Sequence, residues 1–432
     1  MTQPLTATTA SIELAAFVGI DWADQKHAVC LRAADASRCE HSTLEHTPEA
    51  LTEWAAQLRA RFGGRPVGIC LEQTRGALLY ALMVHDFLVL YPIHPTTAKR
   101  YRDTFAPCGA KDDPVDAHLL SEFLWKHREH LRPWRADEVR TRQMALLCEH
   151  RRRLVNERTK LVQQLTATLK AYFPQALDWA GGDLATPIAC DFLQRWPTLA
   201  QLQKAKAQTV RNFYYAHRCR RLDQITERLA QIPTAQPLTT DPAVVNAYAL
   251  LAVTLARQLR SLLPSIADHD QQIQGLFATH PDALLFRSFP GAGDCLAPRL
   301  AAAFGTDRTR FANAAAMQQL SGVAPVTRRS GNSCHIFRRL ACAKFLLQTF
   351  HEFAGCSVRL CEWARLYYEA QRARGKGHHA AVRALAFKWI RILWRCWRDR
   401  TPYDEQRYLR SLHRRGSPLA SKLSQPILVT HI

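Results

Sequence analysis

The sequence predicts an α/β domain followed by a longer region that is mainly helical. Short apolar runs alternate with helical segments over residues 13–135, which indicates a mixed β-sheet flanked by helices. Beyond that point apolar residues recur at helical spacing, and basic residues fill much of the remaining surface. The predicted divisions are a flexible N-terminus (1–12), the α/β domain (13–135), a helical coiled-coil or linker region (136–278), a mainly helical C-terminal domain (279–413) and a flexible tail (414–432).

The charge of the chain favours a polyanionic partner. Its 432 residues include 58 Lys and Arg against 37 Asp and Glu, a formal net charge of +21. Nucleic acid is expected ahead of a membrane, because the longest apolar run, residues 243–256, is shorter than the roughly 20 residues of a spanning helix. The N-terminus lacks the basic segment that begins a signal peptide, so a cytoplasmic protein is expected. The 13 cysteines form no Cys-x-x-Cys pair, which is typical of reduced thiols and argues against a zinc ribbon.

Two strands of the α/β domain are predicted to end on a carboxylate. The predicted elements, in order, are strands Ala16–Asp21 and His27–Arg32, helix Thr47–Arg61, strand Val67–Glu72, a helix over about 76–86 and a strand over 87–93. Open sheets place their ligand sites at the carboxyl ends of neighbouring strands. Asp21 and Glu72 are therefore candidates for one site.

A group of further acids lies where a helix is predicted to begin. Asp113 is predicted as the N-cap and Pro114 as the first helical residue. The apolar residues expected to face inward are Val115, Leu119 and Leu120. Asp113 and Asp116 are three residues apart and share one side of the helix. Acids that complement the helix dipole and acids that bind a divalent cation are both open interpretations of this pattern.

The four acids Asp21, Glu72, Asp113 and Asp116 could converge at one edge of the sheet. Such a cluster can hold a pair of Mg²⁺ ions roughly 3.5 to 4 Å apart, which clamp a scissile phosphodiester and activate the attacking oxygen. One acid at a strand end is usually only a solvated terminus. Four acids in this order along the chain are a much stronger indication of a metal site.

Three segments together resemble a known family. Gly19–Trp22, Leu71–Glu72 and Lys111–Ala117 resemble the DEDD transposases of the insertion sequence 110 (IS110) family, relatives of the pilin-gene invertases. The resemblance implies a RuvC-like or ribonuclease H-like N-terminal domain whose four acids bind Mg²⁺. It maps the last two acids onto Asp113 and Asp116. The additional Asp112 is an alternative to Asp113 as a ligand.

The middle region is predicted to contain a long basic helix over Arg140–Tyr172. Its apolar residues recur at nearly heptad spacing (Met144, Leu147, Leu154, Leu161 and Leu165). A coiled-coil arm that pairs subunits and carries charge along nucleic acid, with Arg151 and Arg158 as contacts, is favoured over an ordinary bundle helix. A second basic helical segment over residues 199–232 contains Phe213–Tyr215, which can either stack on bases or belong to the core.

Ser288–Asp294 and the helix predicted to follow it over residues 295–304 have the pattern of a helix-hairpin-helix motif. Gly291 and Gly293 would let the backbone approach a phosphate, and the helix N-terminus would donate N–H groups. We expect DNA contact here that does not depend on base sequence. Further helices are predicted over 337–353, 358–374 and 379–399.

Leu320–Asn332 is predicted as a polar, basic loop between helices. On composition alone, Ser330 followed by Gly331 is best interpreted as a turn or a helix cap. The IS110 resemblance continues through this segment, and it implies that Ser330 is the nucleophile. Arg328 and Arg329 would stabilise charge on phosphate oxygens.

The resemblance implies a recombinase that joins donor and target DNA in a tetramer, a dimer of dimers, guided by a noncoding bridge RNA. The expected location is the nucleoid in the cytoplasm. Two alternatives stay open: a RuvC-like nuclease that uses water and metals alone, and a non-catalytic nucleic-acid binding protein.

Overall fold

The computed structural model describes residues 12–73, 75–105 and 112–423. The chain divides into two compact units, one up to Ala136 and the other from Asp137 onward. Residues 1–11 and 424–432, where flexible ends are predicted, lie outside the described residues. The predicted flexible tail begins at residue 414, and the structure describes it up to residue 423. This described part is not a flexible tail, because Leu419 and Ala420 are buried in the core of the second unit.

The first unit contains a mixed sheet, as the sequence predicts, but with five strands instead of the four predicted. Its strands are β1 (Ala16–Asp21), β2 (Lys26–Ala33), β3 (Glu40–Glu45), β4 (Val67–Leu71) and β5 (Leu88–Pro92). Their spatial order is β3-β2-β1-β4-β5. β1 is antiparallel to β2 and parallel to β4, and β4 is parallel to β5. The central strands are buried, whereas β3 lies at the edge and buries only Leu44.

Four helices accompany this sheet. They are α1 (Pro48–Arg61), α2 (Ala77–Leu82), α3 (Pro95–Phe105) and α4 (Asp113–His127). Thr47 caps α1, because its Oγ1 accepts a hydrogen bond of 3.2 Å from the Ala50 amide. The second helix ends earlier than predicted, and α3 was not predicted.

Helix α4 packs directly on β1 because residue 19 is glycine. A Cβ atom at Gly19 would lie 2.1 Å from the carbonyl oxygen of Ala117 and 2.4 Å from the amide nitrogen of Ser121. Ser121 Oγ also donates a 3.0 Å hydrogen bond to the carbonyl oxygen of Phe17. The helix backbone therefore approaches the strand backbone more closely than any side chain at residue 19 would allow.

Two details of the start of α4 differ from the prediction. Asp112 is the N-cap, with extended φ and ψ of −141° and 121°, and Asp113 is the first helical residue. Val115 is exposed, since the helix turns the face that contains Ala117 and Ser121 toward the sheet. Helix boundaries shifted by one residue are common, but the exposure of Val115 is a true error of the predicted face.

Two long antiparallel helices organise the second unit. They are α5 (Val139–Tyr172) and α11 (Pro242–Ala278). Arg151 forms an ion pair with Asp270 near one end of the pair, and Tyr172 stacks on Tyr248 near the other end. The two helices contribute to two separate cores.

The first of these cores lies among the short helices between α5 and α11. Those helices are α6 (Ala176–Trp179), α7 (Pro187–Arg195), α8 (Leu199–Gln203), α9 (Ala207–Ala216) and α10 (Leu222–Gln231). Leu161 and Leu165 are buried here within the chain itself, so a seam that pairs α5 with another subunit stays a prediction. Phe213 and Tyr214 also belong to this core, and Tyr215 is exposed.

The second core is built from the C-terminal elements and from Met144, Cys148, Ile273 and Phe277 of the long helices. The C-terminal helices are α12 (Ala283–Arg287), α13 (Gly293–Phe304), α14 (Ala314–Leu320), α15 (Lys344–Leu360), α16 (Glu362–Ala373), α17 (His378–Asp399) and α18 (Glu405–Arg414). Between α14 and α15 lie the strands β6 (Val326–Ser330) and β7 (Ser333–Phe337), which are outside this core. The helix predicted from Phe337 begins only at Lys344, because Phe337 ends a strand.

Helix α11 also bears on the expectation of no membrane. Among the described residues it is the helix long and apolar enough to cross a bilayer by length and composition. Ala252, Ala256 and Leu259 of this helix are fully buried in the protein core, but only 28% of its apolar 18-residue window is buried.

Candidate active site

Two adjacent strands bring Asp21 and Glu72 to the same edge of the sheet. β1 and β4 are parallel, and Ile20 pairs with Leu71. Asp21 and Glu72 are the next residues of the two strands, and neighbouring strands lie about 4.8 Å apart. Both side chains are partly exposed. The predicted meeting of these two acids therefore has a basis in the strand register.

Helix α4 supplies the other two acids. Asp116 is 3% exposed and directly precedes Ala117, which touches Gly19 on β1. Asp113 lies one turn earlier on the same side of the helix and is exposed. Asp112 is outside the helix, where its carbonyl oxygen accepts a 2.9 Å hydrogen bond from the Asp116 amide.

Arg102 on α3 joins two of the four acids. Its Nε lies 2.6 Å from Oδ1 of Asp116, and one terminal nitrogen lies 3.6 Å from Oε1 of Glu72. The side chain of Arg102 is only 20% exposed. Sequence reasoning missed this residue, because α3 was not predicted and one arginine in a basic chain carries no local signal.

The space beside these groups is small. A cavity of about 10 Å³ is lined by Glu72, Arg102, Asp116, Tyr101 and Phe123, among others. This is room for about one water molecule. Helix α3 thus covers this part of the acid cluster.

The four acids fit a divalent metal by ligand type and not as a preformed cluster: among the described residues, the group with three ligand atoms within 4.8 Å of one another consists of two cysteines and a histidine and contains none of these acids. Carboxylate oxygens are the ligands that Mg²⁺ and similar hard cations prefer. Glu72 and Asp116 already contact a cation, the guanidinium of Arg102. Asp21, Glu72, Asp113 and Asp116 are the residues that would hold such an ion.

A buried histidine fixes the turn that follows Asp21. The amide of Ala23 donates a 3.1 Å hydrogen bond to Nδ1 of His27, and Nε2 of His27 lies 2.9 Å from Nδ1 of His46. Since Nδ1 accepts, the neutral ring of His27 donates from Nε2. Burial, and then the neighbouring His46, lower the pKa of His27 to about 4.

Ser330 lies at the tip of a β-hairpin, not in the irregular loop predicted. β6 and β7 pair in antiparallel register, with Ser330 opposite Ser333. Ser333 Oγ donates a 2.8 Å hydrogen bond to the carbonyl oxygen of Ser330. Gly331 has φ of +53° and is the first of the two turn residues, the position where type II′ hairpin turns place glycine. Ser330 is exposed at this tip.

The register of the hairpin divides its basic residues between two faces. Side chains alternate along a strand, so Arg328 shares a face with Ser330 and Arg329 points to the other face. His335 is the cross-strand partner of Arg328 and lies on the same face. The Arg328 guanidinium lies over the ring of Phe337, 5.4 Å from its centroid. Sequence reasoning treated Arg328 and Arg329 alike and missed His335, because both distinctions require the strand register.

A basic cleft of about 420 Å³ adjoins the hairpin. Its lining includes Phe337, Arg338, Lys376 and Arg383. Burial, and then the positive charge of Arg338, lower the pKa of Arg383. Two guanidinium groups thus repel each other in one cleft, which is the environment in which an anion binds favourably.

A short turn joins α12 to α13, and the helix-hairpin-helix motif there stays a prediction; its two glycines differ. Gly291 has φ of +81°, and a Cβ atom there would lie 3.2 Å from the carbonyl carbon of Cys356 on α15. Gly293 has φ of +50°, and a Cβ atom there would meet no neighbouring atom within 4 Å. Gly291 therefore serves packing against α15, and only Gly293 has open space beside it.

The two arginines predicted as contacts on α5 also differ. Arg151 makes a bidentate ion pair with Asp270, with 3.0 Å between its Nη2 and Oδ2. Arg158 is half-buried. The pairing of Arg151 compensates its charge within the chain.

Family models match the segments that contain both groups of candidate residues. A transposase family model of the DEDD IS110 type matches residues 18–174, and the model for transposases of the IS116/IS110/IS902 family matches residues 283–369. The first range contains the four acids, and the second contains Gly291, Gly293 and Ser330.

Proteins of insertion elements match most of this chain. The putative transposase of the IS117 mini-circle from Streptomyces coelicolor is 29% identical over 401 residues, which is 91% of this chain and 96% of that protein. An uncharacterised 42 kDa protein of insertion element IS900 from Mycobacterium paratuberculosis is 28% identical over 90% of this chain and 96% of its own length. A 43.6 kDa protein of IS110 from Streptomyces coelicolor is 28% identical over 72% of this chain and 76% of its own length.

Proposed function

The chain belongs to the IS110 family of transposases, enzymes that cut and rejoin DNA, and from this we propose that it works through Mg²⁺ held by four acids and a serine nucleophile. The observation that carries the proposal is the shared edge of Asp21, Glu72 and the start of α4. The strand order β3-β2-β1-β4-β5 supports a RuvC-like or ribonuclease H-like domain.

In this proposal the acids act from different elements of the fold. Asp21 and Glu72 act from the rigid ends of β1 and β4, and Asp116 acts from a helix fixed against Gly19. Bound Mg²⁺ would supply Lewis acid stabilisation of charge on the scissile phosphate. Arg102 must leave the carboxylates when they take up the metal, and it is then free to bind a phosphate oxygen.

Ser330 is the proposed nucleophile. Its Oγ loses a proton and bonds to phosphorus, while the bond from phosphorus to the 3′ oxygen breaks and that oxygen takes up a proton. The product is a phosphoserine and a free 3′-hydroxyl. A 3′-hydroxyl from the partner DNA then attacks the phosphoserine, which restores the serine and joins the strands.

The exposed position of Ser330 supports this role, since a strand of DNA has access to the hairpin tip. Arg328 on the same face supports charge stabilisation at the phosphate. His335, opposite Arg328, is available to accept the serine proton. The acids and Ser330 belong to different units, and our proposal requires them to meet around one phosphorus atom, within or between subunits.

The guide and the assembly are further parts of the proposal. We infer a noncoding bridge RNA that pairs with donor and target DNA, and a tetramer active at the nucleoid in the cytoplasm. The net charge of +21 and the basic cleft beside the hairpin support binding of more than one nucleic acid strand. Exposed Tyr248, Leu250 and Leu251 on α11 support a protein interface.

The test is to trap the covalent protein–DNA adduct on a DNA that carries the ends of the element, together with the RNA that copurifies with the protein. We expect a Mg²⁺-dependent adduct that Ser330→Ala and Asp21→Asn both abolish. Ser333→Ala removes a hydroxyl from the same hairpin and should retain the adduct. Cleavage that is unchanged in Ser330→Ala would contradict the proposal and favour a nuclease that uses water.

A further inference from the structure

A second group of potential metal ligands lies in the first unit, apart from the four acids. Cys30 is on β2, Cys39 precedes β3, and His118 is on α4. One ligand atom from each of these residues lies within 4.8 Å of the other two. The three side chains come from three different parts of the fold.

The distance between Cys30 and His118 has the value expected around zinc. Cys30 Sγ lies 3.6 Å from Nδ1 of His118. Zinc binds sulfur at about 2.3 Å and imidazole nitrogen at about 2.0–2.1 Å, so two such ligands at a tetrahedral angle lie about 3.6 Å apart. The separation of Cys30 and His118 thus already matches that of two zinc ligands, and the ligand atom of the half-buried Cys39 lies within 4.8 Å of both.

The surroundings also suit a soft cation. Cys30 is fully buried, and Cys39 and His118 are half-buried, so a bound ion would be shielded on one side and reachable from the other. His41 pairs in register with Cys30, and its ring stacks on His118 with 5.8 Å between centroids. Either His41 or water is available for a fourth position.

We propose that Cys30, Cys39 and His118 bind one soft divalent cation of the Zn²⁺ class. Two sulfur ligands select such an ion against Mg²⁺, whereas the carboxylates have the opposite preference. The ion would fasten α4 to β2 and to the segment before β3. Since His118 is two residues after Asp116, it would stabilise the position of the start of α4.

The test uses the full chain, stripped of metal with a chelator under reducing conditions and then titrated with Co²⁺ and Zn²⁺. We expect sulfur-to-cobalt charge-transfer absorption that corresponds to one thiolate-bound ion per chain, and a rise in thermal stability with Zn²⁺. Cys39→Ser should weaken Zn²⁺ binding by at least about 100-fold, because even the loss of an outer-shell partner costs 10- to 100-fold. Cys39 is at the surface of the site, so this variant keeps the buried Cys30 that the fold packs.

Cys334→Ser is the matched control, since Cys334 is an exposed cysteine on β7, and it should bind Zn²⁺ like the parent protein. Absence of the cobalt–sulfur absorption would overturn the proposal and leave a thiol–imidazole hydrogen bond. Cobalt–sulfur absorption that is unchanged in both Cys39→Ser and His118→Asn would overturn it too, because the ion would then be bound by other cysteines. A disulfide between Cys30 and Cys39 that persists in the reduced preparation would have the same consequence.

Discussion

Nε of Arg102 lies 2.6 Å from Oδ1 of Asp116, and the same guanidinium reaches Glu72. A side chain that bears a positive charge thus contacts two of the four acids that are proposed to bind metal. The position of α3 therefore depends on the charge of these acids, because Arg102 is a residue of that helix.

Arg102→Gln should make the site take up Mg²⁺ more readily. Removing a cation that competes for the carboxylates should lower the Mg²⁺ concentration for half-maximal adduct formation by about fivefold to tenfold, which corresponds to about 1 kcal/mol of interaction in a partly solvated site. Titration of adduct formation with Mg²⁺ measures this. Arg100→Gln, exposed on the same helix, should leave the midpoint unchanged. A higher midpoint in Arg102→Gln would mean that the arginine assists metal binding.

Arg328 and Arg329 should be unequal in catalysis. Arg328 lies on the face of Ser330, so Arg328→Gln should slow single-turnover cleavage by about 100-fold, as the loss of one charge-stabilising donor does. Arg329→Gln should have a clearly smaller effect, since its side chain leaves the strand on the opposite face. Equal losses in the two variants would show that the register of the hairpin does not govern the chemistry.

Gly19→Ala should loosen α4. The added methyl group would lie 2.1 Å from the carbonyl oxygen of Ala117, and overpacking against backbone costs about 3 kcal/mol. We expect faster amide hydrogen exchange in β1 and α4, measured by mass spectrometry. Gly275→Ala is the control, because Gly275 has open space in an exposed part of α11 and the change should slow exchange there slightly. Unaltered exchange in α4 of Gly19→Ala would contradict the close packing described above.

The first unit should lose stability in mildly acidic solution. Burial lowers the pKa of His27 from 6.5 to about 4, so between these pH values the unfolded chain binds a proton that the folded chain does not. The contribution of His27 to the free energy of unfolding should therefore be fully present above about pH 6.5. It should decrease on acidification toward pH 4, by on the order of 2 kcal/mol. Urea unfolding at a series of pH values measures this slope. The slope should be smaller in His27→Gln, and an equal slope in the variant would assign it to other groups.

Much of the fold follows from local patterns in the sequence. The bounds of β1 agree with the prediction, and those of α5 agree to within one residue, because a buried apolar run and a long helix with nearly heptad apolar spacing have strong signals. β3 was missed since its residues are polar, with only Leu44 buried. The β6–β7 hairpin was missed for a similar reason: it buries none of its side chains fully and has no apolar alternation.

The site was predictable only where residues are adjacent in sequence or follow strands. Asp21 and Glu72 could be paired because each follows an apolar strand, and Asp113 and Asp116 because they share a helical turn. Arg102 could not be found, since its position depends on how α3 packs across the end of the sheet. The unequal surroundings of Gly291 and Gly293 likewise depend on α15, which lies more than fifty residues further along the chain.

The long helices α5 and α11 have a mechanical consequence. With 34 residues, α5 extends about 50 Å. Each of the two helices packs into one core near one end and into the other core near its other end. A helix that is packed at both ends in this way transmits a displacement from one end to the other. We therefore expect a displacement of the short helices around Tyr214 to reach the base of the C-terminal elements through the two long helices, so that docking at one core can reorient the other.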